Sequence, residues 1–135
     1  MTVDQANAIC EGTFAGLIGM SFTSIEAGRV TARLQVRADL LAPNGYLHGS
    51  AVTALAETAC GFGTALALPP EHRSRFATID LSCNFIGTAR DGWIVCEAKC
   101  PHAGRTTQVW DARVWREADD RPIALFRLTQ LLLAQ

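Results

Sequence analysis

Asn44-Gly45-Tyr46-Leu47-His48-Gly49-Ser50-Ala51-Val52-Thr53-Ala54-Leu55-Ala56-Glu57-Thr58-Ala59-Cys60-Gly61 is the stretch from which the rest of the chain is read. Pro43, Asn44 and Gly45 punctuate a loop over residues 40–47. The spacing then predicts a helix over residues 48–68, stopped by Pro69-Pro70. Val52, Leu55, Ala56, Ala59, Phe62 and Leu66 fall on one helical face and form its expected core stripe. The helix is rich in Ala, Gly and Thr, so a sheet can approach its backbone closely.

Two features of this helix bear on chemistry. Its opening at His48-Gly49 directs unpaired backbone N–H groups outward. Such an end can hold negative charge developing on an oxygen, and Gly49 lets a ligand come close to the backbone. The second feature is Glu57, the one acid between Asp39 and Glu71. With Ser50, Thr53, Gly61 and Thr64 it makes a small polar stripe beside the apolar one. A carboxylate there is costly unless it is paired, hydrated or useful. A solvent-facing or ion-paired glutamate and a functional one both fit the pattern.

Gly49 and Glu57 are separated by about 12 Å along a helix rising 1.5 Å per residue. One small reacting group does not reach both from the same helix. If both act, Gly49 of one chain faces Glu57 of another across a two-fold axis, and the active unit is at least an isologous dimer.

Outward from the helix the pattern changes. A short helix is expected to end near Gly12, followed by a loose stretch to Met20. Residues 22–27 read as a strand turning at Ala27-Gly28. Val30, Ala32, Leu34 and Val36 then alternate with polar residues, a strand with one buried face. Four more strands are expected after the helix. Residues 76–86 carry Ile79, Leu81, Cys83 and Phe85 in alternation. Residues 93–101 and 105–117 form a hairpin around His102-Ala103-Gly104, and residues 122–133 follow a turn at 118–121. Helix and strands do not alternate, which disfavours a parallel βαβ sheet and favours an antiparallel sheet around one helix.

Composition narrows the function classes. The 135 residues are 49% apolar and carry a net charge of −1, so one domain with a sizeable core is expected and neither nucleic acid nor an anionic membrane is an expected partner. No uninterrupted apolar run reaches the length of a membrane span. The first ten residues carry Asp4 and no basic cluster, unlike a secretion signal. Cys10, Cys60, Cys83, Cys96 and Cys100 are odd in number and contain no Cys-x-x-Cys pair, so buried thiols in a reducing cytoplasm are expected. His72 and His102 lack metal-type spacing, and Trp93, Trp110 and Trp115 read as packing residues. There is no Gly-x-Ser-x-Gly elbow, phosphate loop or dinucleotide fingerprint.

His48-Gly49, with Glu57 nine residues after the histidine, resembles the His-Gly-Gly…Asp/Glu helix of hotdog-fold thioesterases. The resemblance is closest to the phenylacetate-degradation type and its 4-hydroxybenzoyl-CoA thioesterase relatives. It extends over nearly the whole chain, through Phe76-Ala77-Thr78-Ile79-Asp80-Leu81, Asn84-Phe85 and Gly104-Arg105-Thr106. It implies an α+β hotdog domain over residues 1–135, a curved antiparallel sheet wrapped around the central helix. The implied reaction is hydrolysis of a small to medium, aryl or alkyl, acyl-CoA to free acid and CoA. It needs no metal or bound cofactor and is carried out by a homodimer, with dimers pairing into a tetramer.

Carried over by position, the resemblance gives Gly49 N–H the task of polarising the thioester carbonyl. It makes Glu57 the general base or the nucleophile. Thr78 stands where relatives place a hydroxyl that holds the water or the carboxylate, and His48 matches a loop-organising histidine. Arg105 and Thr106 are candidates for CoA phosphate or ribose. Ser50 replaces the second glycine of the motif, which narrows the approach or adds a hydroxyl. Relatives often carry Asn six residues before the histidine. Here that position is Ala42, and Asn44 is the nearby candidate for positioning water. Gly61 and Gly63 are expected to leave room for the acyl group. Two rivals stand beside this reading. A hotdog dehydratase or hydratase would carry His-Phe-Pro-Gly or Asp-x-x-x-x-His, neither of which occurs. A non-catalytic hotdog module binding acyl-CoA is the other.

Overall fold

The structure, a computed structural model, describes residues 1–133. Helices α1 (Val3–Cys10) and α2 (Phe14–Leu17) precede strands β1 (Met20–Glu26) and β2 (Arg29–Gln35). Helix α3 (Gly49–Ala67) follows, then β3 (Phe76–Phe85), β4 (Trp93–Ala103), β5 (Thr107–Arg116) and β6 (Pro122–Leu132). The strands make one antiparallel sheet in the order β1-β2-β4-β5-β6-β3, and α3 lies across its face in contact with all of them. This is the hotdog arrangement expected above.

Period-two alternation builds the sheet's inner face. Val30, Ala32 and Leu34 of β2, Ile94, Cys96 and Ala98 of β4, and Trp110, Ala112 and Val114 of β5 are all buried. Against them pack Val52, Leu55, Ala56 and Ala59 of α3. Phe62 and Leu66, placed on the same stripe from the sequence, are only half-buried, and Phe62 stacks on Phe22 at 4.4 Å between centroids. Thr64, expected on the polar stripe, is fully buried.

Small residues let α3 settle on the sheet. A methyl group on Gly63 would overlap the Trp110 ring, so the expectation that Gly63 leaves room for a ligand is corrected: the indole fills that space. Gly63→Val should destabilise the fold by about 1–3 kcal/mol, read as a Tm several degrees lower. An unchanged Tm would mean that the Trp110 contact is not tight.

Other expectations also need correction. The stretch after Gly12 is not loose: α2 forms there, and Gly16 packs against the Cys10 carbonyl where a Cβ would not fit. β4 runs on through His102 and Ala103, so the hairpin turns at residues 104–106. Trp110 is buried, but Trp93 and Trp115 are half-exposed beneath the guanidinium groups of Arg33 and Arg113, at 4.1 and 4.5 Å. Cys10, Cys60 and Cys96 are buried, whereas Cys83 and Cys100 are half-buried. Among the described residues no helix is long and apolar enough to cross a membrane.

The two edges of the sheet differ. At β1, Asn7 of α1 acts as a substitute strand: its Oδ1 accepts from Phe22 N–H at 2.8 Å, and its Nδ2 donates to Phe22 O at 3.2 Å. At β3 the apolar row from the sequence is not covered by the rest of the chain. Ile79 is 56% exposed and Phe85 53%, and Leu81, Ile86 and Leu125 are exposed with them.

The outer face of the sheet is charged. Arg29 and Lys99 grip Glu97 at 2.6 and 3.1 Å, and Arg127 holds Asp111 through two bonds of 2.6 and 2.7 Å. Burial alone would raise the Glu97 carboxyl, but the bonds from Arg29 and Lys99 outweigh it and hold it below 4.5. The Arg127 bonds hold Asp111 below 3.8. A carboxyl lowered by folding adds stability above its unfolded value and loses it as pH falls through its folded value. Tm should therefore fall on acidification below about 4.5. Glu97→Gln should melt lower than wild type at neutral pH, with the gap closing as pH falls through the lowered Glu97 value. A gap that stays constant would remove Glu97 from the acid response.

Candidate active site

Glu57 stands mid-way along α3, half-buried. Thr78 of β3 reaches it, and the Thr78 hydroxyl lies 2.7 Å from Glu57 Oε1. The same hydroxyl lies 3.0 Å from Gln130 Oε1, on the neighbouring strand β6 where Thr78 and Gln130 are register partners. The bulge between Thr78 and Asp80 interrupts the ladder at this point.

A cavity of about 460 Å³ opens at Glu57, bounded by Gly61, Phe62, Phe76, Met1 and Ile9. It follows α3 from Glu57 to Ala65, or about 12 Å. Gly61 keeps it open: a methyl group there would stand 3.6 Å from the Phe76 ring, in ordinary contact, and would take up free volume. A larger hollow of about 1020 Å³, lined by Arg29, Glu97, Lys99 and Asp111, lies on the sheet's charged outer face, away from Glu57.

Gly49 is the first residue of α3, and its N–H finds no acceptor among the described residues. The Phe85 ring lies where a Cβ would be 3.0 Å from it. His48 is the N-cap: its Nδ1 accepts from Ser50 N–H at 3.0 Å, which places the imidazole proton on Nε2. Ser50 is exposed beside it. Asn44 turns back on its own loop, its Oδ1 accepting from Tyr46 N–H at 3.2 Å. Arg105 and Thr106 line a separate hollow of about 410 Å³ at the far end of α3, with His72, Arg75 and Leu68.

Of the residues predicted from sequence, the fold thus joins Glu57, Thr78 and Gly61 in one place. Gly49, His48 and Ser50 sit about two turns away at the start of α3, and Asn44, Arg105 and Thr106 lie elsewhere in the chain. Gln130 and Phe76 were missed. A signal for Gln130 was available: it is in phase with the buried Phe126 and Leu128, so an amide was bound to face the core.

Cys60, one turn beyond Glu57, is no rival nucleophile. Burial, and then the neighbouring Cys96 and Glu57 charges, push its thiol well up, so it stays protonated. Cys96 is pushed up to about 12, by burial first and then by Glu97.

Residues 44–123, which include Glu57, Thr78 and the start of α3, match the Thioesterase superfamily. The chain belongs to this superfamily. It is a thioester hydrolase of hotdog fold. It is 29% identical to a 1,4-dihydroxy-2-naphthoyl-CoA hydrolase of Listeria monocytogenes over 102 residues, 76% of this chain and 81% of that one. A thioesterase of Pseudomonas aeruginosa superposes with a TM-score of 0.90 at 28% identity, covering 98% of this thioesterase and 94% of that chain. A thioesterase of Staphylococcus aureus superposes at 0.82 with 31% identity, covering 89% and 98%. The Staphylococcus enzyme has been solved with a glutamate replaced by alanine and with a glutamine, fifteen positions earlier, replaced by alanine.

Proposed function

We propose that this thioesterase hydrolyses an acyl-CoA to the free acid and CoA, with Glu57 as general base or nucleophile. The observation that carries the reading is the placement of Glu57: a carboxylate oriented by Thr78 at the mouth of an apolar cavity. The cavity takes the acyl group, and its length and its two phenylalanine walls suit a small to medium aryl or alkyl chain. Glu57 either removes a proton from an attacking water or attacks the carbonyl itself, in which case water then hydrolyses the acyl-glutamate. The carbonyl oxygen takes up negative charge as the new C–O bond forms and returns it as the C–S bond breaks and CoA leaves as thiolate.

The donor for that oxygen is Gly49 N–H of a second chain. Its N–H is uncommitted, and the length of α3 keeps it from the Glu57 of its own protomer. The exposed apolar row on β3, next to an open strand edge, supports a homodimer in which the two sheets meet there. Pairing of such dimers gives the tetramer. His48 shapes the start of α3, and Ser50 lies beside the oxyanion position. Arg105 and Thr106 take CoA phosphate or ribose. Asn44, held in its own turn, is the weakest of the binding residues. The position fifteen before Glu57 is Ala42, so the carboxamide replaced in the Staphylococcus enzyme has no counterpart at that spacing.

The test is release of free thiol from a panel of aryl- and alkyl-CoA thioesters. Turnover is expected with at least one member, and its best substrate defines the acyl class. No release from any member would overturn the reading.

A further inference from the structure

Two glutamines lie inside the sheet, Gln108 at 4% exposure and Gln130 at 0%. They are register partners across β5 and β6, and Gln130 is the partner of Thr78 across β6 and β3. Gln108 is engaged: Trp110 Nε1–H donates to its Oε1 at 3.0 Å. The Nε2 of Gln130 is buried with no hydrogen-bond partner among the described residues. A leucine would fill similar space without burying an amide, and an unpaired buried amide is costly.

Counting protons accounts for this residue. The Thr78 hydroxyl has one proton, yet it lies 2.7 Å from Glu57 Oε1 and 3.0 Å from Gln130 Oε1. Both are acceptors, so one of the two contacts lacks a hydrogen. The oxygen and nitrogen of a carboxamide occupy nearly the same space, and turning the group over brings Nε2 to Thr78 Oγ1. The amide then donates to the hydroxyl, and the hydroxyl gives its proton to Glu57. Each contact has one donor and one acceptor. The atom left unpaired becomes a carbonyl oxygen, which is tolerated better than an unpaired N–H.

We propose that Gln130 is a positioning residue for the hydrolysis: it fixes the Thr78 hydroxyl as donor to Glu57 Oε1 and leaves Oε2 for water or the thioester carbonyl. The proposal rests on the reading of Glu57 as the reacting carboxylate. Without a donor at position 130 the threonine proton is free to rotate away, and the carboxylate loses its fixed rotamer.

The test compares Gln130→Met, Thr78→Val, Thr78→Ser and the Gln130→Met/Thr78→Val double variant, using the acyl-CoA that wild type turns over fastest. Gln130→Met and Thr78→Val should each lower kcat about tenfold with KM changed less than about threefold. Thr78→Ser, which keeps the hydroxyl, should retain most of kcat. The double variant should be no slower than Thr78→Val alone, because the amide acts through the hydroxyl. Wild-type kcat in folded Gln130→Met, or losses that simply add in the double variant, would overturn the proposal. Gln130→Leu serves the same comparison if the methionine variant does not fold. An active Glu57→Ala would sink the underlying reading. An inactive Glu57→Ala beside a fully active Gln130→Met would sink this proposal alone.

Discussion

Glu57→Ala should lower kcat by about 10³-fold, within the range for loss of a positioned acid, base or nucleophile, and should leave a folded protein. The side chain is half-buried at a cavity rather than packed in the core, so its removal leaves no sealed void. Its partner Thr78 keeps a second neighbour in Gln130. Glu57→Gln sharpens the comparison, since the amide oxygen can still accept from Thr78 but can neither take a proton at neutral pH nor attack a carbonyl. Both variants should melt within a few degrees of wild type. A kcat within tenfold of wild type in folded Glu57→Ala would remove Glu57 from the chemistry.

Two inactive variants should restore each other's activity. If each site takes Glu57 from one chain and Gly49 from the other, Gly49→Val and Glu57→Ala are both inactive as homodimers. A mixed dimer holds one intact site, with Glu57 from the first variant and Gly49 from the second. Unfolding and refolding them together at equal concentration should return about a quarter of wild-type activity, because half the dimers are mixed and each has one of two sites. Gly49→Val also presses on the Phe85 ring, so its fold must be checked by circular dichroism and its dimer by light scattering. Activity that stays at the level of the separate variants would place both groups in one chain, or would show that Gly49 has no part in the reaction.

The architecture was largely legible because two periods dominate the chain. The alternation of Val30, Ala32 and Leu34, and the helical spacing of Val52, Leu55, Ala56 and Ala59, are both obeyed by burial. Glu57 was legible as the isolated acid of an apolar helix. The failures have physical causes. Thr64 was misplaced because it shares the Glu57 side of the helix, and spacing alone does not show what packs over that end of α3. Gly63 was read as empty space because sequence does not show which ring from a distant strand fills it; that ring is Trp110. Helix α2 was missed because its glycine serves close packing against Cys10 rather than freedom of the chain. Gln130 was passed over because its partner, Thr78, is 52 positions away and only β3–β6 pairing brings them together.

The unequal sheet edges limit how the protein can assemble. Asn7 occupies the hydrogen-bonding positions of Phe22 on one side, whereas β3 leaves the other side open. A sheet with two open edges is a monomer for linear polymerisation, since each addition exposes a fresh end. With one end stopped, the first edge-to-edge addition uses the open edge of both chains and leaves no growing end. If the dimer proposed above pairs through β3, Asn7 acts as its chain terminator, and loss of Asn7 would leave that pair able to elongate.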